Sequence, residues 1–129
     1  MPLYTITTQT GVLGDNDKAA LAEKLTETHC QVSGLPENWV HIVFNDYPAG
    51  SGFTAGKPAE TASLTLVMRT GRSPDYKRDL LRRLWRLLQD ATGAPDDQIA
   101  IGMHEAPPSQ AIEMGRIMPE VAEHPAPSH

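Results

Sequence analysis

GLPENWVHIVFNDYP (34–48) lies over GAPDDQIAIGMHEAP (93–107) at an offset of 59 residues, without a gap. Gly34 meets Gly93, Pro36 meets Pro95 and Pro48 meets Pro107. Glu37 falls on Asp96, Val40 on Ile99 and Ile42 on Ile101. The same offset carries Leu21 onto Leu80 and Leu25 onto Leu84. Agreement at turn, charge and core positions together points to an internal repeat, so the two halves are read as one pattern.

Each half opens on a β-prone run, 3–8 and 62–69. An amphipathic helix follows. The first begins near Asp15, an N-cap candidate, with Ala20, Leu21, Leu25 and Thr28 on one face. The second begins at Ser73-Pro74, a capping hydroxyl followed by proline at the first helical position. Leu80, Leu81, Leu84, Leu87 and Leu88 give it a broad apolar stripe. Gly34 and Gly93 end the two helices, each with proline two residues on. Second β runs follow at 39–44 and 98–104.

Strand, helix, strand is a β-α-β unit. Two in tandem predict an α/β (α+β) fold, a four-stranded sheet with both helices on one face. The domain is expected over 1–118, with repeats at about 2–48 and 62–107, and a flexible tail at 119–129. The outer sheet face reads as too apolar for water, which predicts a homo-oligomer. The Gly- and Pro-rich segment between the repeats is a loop with room for a short hairpin around Phe53.

The 129 residues suffice for one core. A hydrophobic fraction of 40% fits a globular chain, and no apolar run nears the roughly 18 residues of a membrane span. Net charge is -5, which disfavours nucleic acid. The basic residues Lys77, Arg78, Arg82, Arg83 and Arg86 read as a solvated helix face. One cysteine, Cys30, excludes an intrachain disulfide, and a cytoplasmic location is expected. The five histidines have no metal-ligand spacing, so neither a metal nor a cofactor is expected.

Four places can carry chemistry. Pro2 would present a rigid secondary amine once Met1 is removed, able to act as acid or base. Arg69 and Arg72, in a turn before a helix cap, can grip one carboxylate. Glu113 can activate water or orient a protonated group. His29 lies near the end of the first helix; His41 and His104 fall in β runs and read as structural.

Pro2, the tandem units and the arginine pair resemble the tautomerase superfamily, and within it the cis-3-chloroacrylic acid dehalogenase group. YPAG (47–50), the stretch around His29, RTGRS (69–73) and IEMGR (112–116) carry the resemblance. It implies a homotrimer without cofactor. Pro2 would be the general acid or base, Arg69 and Arg72 the carboxylate site, His29 an assistant to it, and Glu113 the water-activating group. The resemblance departs at Gly102, where the group has a tyrosine. The expected activity is tautomerisation, or hydration and dehalogenation, of a small unsaturated or 2-keto acid. The alternative is a non-catalytic oligomer that binds carboxylates.

Overall fold

A computed structural model describes residues 1–121. Strand β1 (Leu3–Gln9) leads into helix α1 (Asp15–Ser33), a single 3-10 turn (Glu37–Trp39) and β2 (His41–Tyr47). A short hairpin, β3 (Phe53–Thr54) with β4 (Lys57–Pro58), precedes β5 (Ala62–Arg69). Helix α2 (Pro74–Thr92), a second 3-10 turn (Asp96–Gln98) and β6 (Ile99–Ala106) repeat the first half. A final hairpin joins β7 (Ile112–Glu113) to β8 (Arg116–Ile117).

The main sheet has the order β2-β1-β5-β6. β1 and β2 are parallel, β5 and β6 are parallel, and the two units join antiparallel through β1 and β5. Leu3 pairs with both His41 and Val67, and Arg69 with Ala106. This register brings the start of β1, the start of β2 and the end of β5 to one edge of the molecule.

Alternation at period two decides what the sheet buries. Tyr4, Ile6, Leu64 and Leu66 point inward against Leu21, Leu25, Leu80, Leu84 and Leu88 of the two helices. Leu84 is completely buried. Leu84→Ala should therefore cost about 3 kcal/mol in urea unfolding, through lost transfer free energy and the cavity left behind.

The offset of 59 survives in atomic detail. Lys18 pairs with Asp46 and Lys77 with Glu105, each at 2.8 Å. At the end of α1, Ser33 Oγ donates to the His29 carbonyl at 2.7 Å and accepts from Leu35 N–H at 3.1 Å. Thr92 does the same with Leu88 and Ala94, at 2.8 and 3.2 Å. Gly34 and Gly93 then take φ of 74° and 69°, the left-handed cap that glycine adopts without a Cβ penalty.

Four expectations change. Asp15 is the first helical residue of α1, not its cap: Gly14 takes that place, and Asp17 accepts the Gly14 N–H at 3.0 Å. The buried face of α1 is Leu21, Leu25, His29 and Ser33, four residues apart, while Ala20 is exposed. The second strands start two and one residues late because 3-10 turns occupy 37–39 and 96–98. The outer sheet face is not broadly apolar, since it presents Thr5, Thr7, Ser63, Thr65, His41 and Asn45. Most apolar residues of those runs point the other way, with Leu3, Val43 and Val67 left on the outer face. Apart from Val43, the exposed large hydrophobics gather on the hairpins, at Phe53, Ile112, Met114 and Ile117. Of the expected tail, residues 122–129 lie outside the described residues, whereas Pro119 is tied to the domain. Among the described residues no helix is long and apolar enough to cross a membrane.

Candidate active site

The first strand starts at the site. Pro2 is buried, and its carbonyl accepts the His41 N–H at 3.0 Å, which fixes the chain start to β2. The Met1 amino group, one residue further out, contacts Glu113 Oε2. The other oxygen of Glu113 meets His41 Nε2 at 2.7 Å. Glu113 is thus held from two sides with its side chain 11% exposed. The β7–β8 hairpin delivers it there, through a two-residue turn that sets non-glycine Met114 at φ 53°.

Arg69 ends β5 and Arg72 precedes the Ser73 cap of α2, whose Oγ accepts the Tyr76 N–H at 3.1 Å. Between them Gly71 has φ 129°, and a Cβ there would lie 3.2 Å from Val121. That turn lets both guanidiniums face one pocket, lined by Met1, His29, Leu35, Arg69, Arg72 and Tyr76, among others. Arg69 is 3% exposed, donates to the Pro119 carbonyl at 2.8 Å and lies 5.8 Å from the centroid of the Trp39 ring. Arg72 stacks 4.8 Å from the ring centroid of Tyr76. Burial and the neighbouring Arg72 lower Arg69 only to about 10, so it stays a cation at neutral pH.

His29 is buried at 2% exposure, with Nδ1 2.6 Å from the Tyr4 hydroxyl. Burial lowers it to about 3, helped by Arg72 and the chain-terminal amine, so the ring is neutral at working pH. An unfolded histidine titrates near 6.5 and binds its proton first as pH falls. Holding it neutral therefore costs nothing above 6.5, and a penalty on the fold grows as pH drops toward 3. Urea unfolding at pH 4 instead of pH 7 should show about 3 kcal/mol less stability from this group. In His29→Gln that part of the slope should vanish.

An amine at the chain start feels the same surroundings. The Met1 amine is lowered from 8.0 to about 5, first by burial and then by Arg69. Basic groups here are pushed toward their neutral forms by burial and by the arginines together.

The structure thus brings the chain start, His29, Arg69, Arg72 and Glu113 to one edge. It adds residues that sequence reading did not select: Tyr4, Trp39, His41 and Tyr76. Gly102 lies elsewhere, on the outer sheet face beside Thr65, with open space where a Cβ would be. The equivalent end of the other repeat has Thr10 and Leu13 in place of the arginine pair and Thr54 in place of Glu113, though it carries Glu60. Thr54, Thr61 and Gln98 stand 59 residues from Glu113, Pro2 and Trp39. Thr54 bonds to Thr61 at 2.5 Å and donates to Gln98 at 3.0 Å. Among the described residues no group of three or more His, Cys, Asp or Glu is placed to hold a metal ion.

A family model described as "Putative oxalocrotonate tautomerase enzyme" matches residues 1–126. The chain belongs to this tautomerase family. A "Probable tautomerase" of Streptococcus pneumoniae serotype 4 is 40% identical over 40 residues, 31% of this chain and 67% of that protein. Among solved structures, N1 of the cis-3-chloroacrylic acid dehalogenase family aligns with TM-score 0.87 and 28% identity. That alignment covers 94% of this chain and 86% of N1. A fused 4-OT symmetric trimer shares the fold at TM-score 0.83 and 20% identity, over 95% of this chain and 99% of its own.

Proposed function

We propose that this tautomerase-family chain is a cofactor-independent enzyme in which the Pro2 amine, freed by removal of Met1, moves a proton on a small 2-keto carboxylic acid. One observation carries the reading: Met1, whose amine touches Glu113, also lines the pocket that holds Arg69, Arg72 and neutral His29. The Met1 amine stands in for the Pro2 nitrogen, which lies one residue back, roughly 3.8 Å along the chain.

Arg69 and Arg72 bind the carboxylate and draw charge from the reacting carbons. A neutral Pro2 amine takes the proton from the enol oxygen and returns it at C3, leaving the ketone and no net proton change. Burial and Arg69, which lower the Met1 amine, favour this neutral form. A protonated Pro2, with water activated by Glu113, would instead give hydration or dehalogenation of an unsaturated acid. The exposed apolar residues of both hairpins suit association of copies, and a homotrimer like the fused 4-OT neighbour is the proposed assembly.

Protein of verified mass should be assayed with phenylenolpyruvate and with cis-3-chloroacrylate. Ketonisation without chloride release is the expected result. Chloride release would move the assignment to hydration with Glu113 as the base. Turnover of neither would leave a carboxylate-binding protein.

A further inference from the structure

Tyr76 occupies the first turn of α2, its ring packed against the core and under the Arg72 guanidinium. Its hydroxyl oxygen is buried and lacks a hydrogen bond of normal geometry among the described residues, the Ser33 side chain being placed for no more than a weak one. Ser33 stands beside it, with its own hydroxyl engaged by the His29 carbonyl and the Leu35 amide. A buried hydroxyl so poorly bonded destabilises the free protein, so its retention needs an explanation. Tyr76 lines the pocket that holds Arg69, Arg72 and His29. That pocket encloses only about 10 Å³ beside Met1, so a ligand would reach the phenol in the space that removal of Met1 frees.

The two guanidiniums offer forked donors that match the two oxygens of a carboxylate. A further, uncharged donor beside them suits a neighbouring oxygen whose charge grows during reaction. We propose that the Tyr76 hydroxyl donates a hydrogen bond to the C2 oxygen of a 2-oxo acid whose carboxylate lies on Arg69 and Arg72. The proposal rests on the pocket being a carboxylate site, and it adds what selects a 2-oxo acid over a plain one. Burial raises the Tyr76 phenol against the opposing pull of the two arginines, so it remains a donor at neutral pH.

Tyr76→Phe removes this one atom, keeps the ring beneath Arg72 and leaves Ser33 its bonds to the His29 carbonyl and the Leu35 amide. Three results are expected. The variant should melt at a higher temperature than wild type, because a poorly bonded buried oxygen is gone. Its kcat/KM for phenylenolpyruvate should fall about 10²-fold, the scale of losing one preorganised donor to a developing oxyanion. Calorimetry should show wild type preferring 2-oxo-3-phenylpropanoate to 3-phenylpropanoate, and that preference should disappear in the variant while 3-phenylpropanoate binding holds. The two-ligand comparison needs no turnover, so failure of the proposed activity reads separately from failure of this hydrogen bond. Unchanged discrimination between the two ligands in Tyr76→Phe would overturn the proposal. So would Ser33→Ala reproducing the loss, which would mean the hydroxyl serves a bond within the protein.

Discussion

Pro2→Ala should lower kcat/KM for a 2-keto acid by about 10²-fold or more, the contribution of one positioned acid–base group. The fold should survive. The backbone bond that anchors Pro2, from His41 N–H to its carbonyl, does not involve the side chain. What disappears is a secondary amine on a rigid ring, whose direction is fixed by that bond and by burial. Alanine offers a primary amine free to rotate. Steady-state kinetics beside circular dichroism separates the two effects, and full activity in a folded variant would remove Pro2 from the mechanism. Blocking the amine should be equally severe. A chain that keeps Met1 has an amide at Pro2 and places the Met1 amine on Glu113, so its activity should be negligible.

Arg69→Lys should lose about 10²-fold in kcat/KM, mostly through KM, although charge is conserved. Arg69 has three tasks that one ammonium cannot share: it faces the pocket, donates to the Pro119 carbonyl and lies over Trp39. Lysine is a point charge without the planar fork, and it leaves a bond to Pro119 or to the substrate unmade. Releasing Pro119 also loosens the segment that carries Val121 to the pocket wall. Arg72 is less buried and makes its contact through the Tyr76 face. The same replacement there should cost less, and equal losses at both positions would show that only charge matters.

Much of the architecture was legible because it is written twice. The offset of 59 residues predicted both units, and the bounds of β5 agree with the run read from sequence. Ser73 and the two terminal glycines act as their residue types suggest. The β7–β8 hairpin was missed because two-residue strands leave no periodic signal. Yet the same offset lays Phe53–Thr54 over Ile112–Glu113, and Gly56 over Gly115, which would have revealed it. The outer face is less apolar than the strand runs suggest as wholes, because their leucines other than Leu3 point inward.

The site divides in the same way. Residue type marked Arg69, Arg72, Glu113 and Pro2 as capable of chemistry, and the fold brings them to one edge. Their supports depend on register between distant segments. His41 reaches Glu113 across 72 positions, and Tyr4 reaches His29 across 25. Neither pairing has a local signature, since the first follows from the β7–β8 hairpin meeting the start of β2 and the second from α1 packing over β1.

The central claim is that a neutral Pro2 amine does the proton transfer. Labelling proline with ¹⁵N and following the Pro2 nitrogen by NMR from pH 4 to pH 9 tests it directly. The predicted result is a titration well below the ordinary amine value of 8.0, coinciding with the acid limb of kcat/KM. A Pro2 nitrogen that does not titrate, because Met1 still acylates it, or one that titrates at the ordinary value while activity is unaffected, would contradict the account.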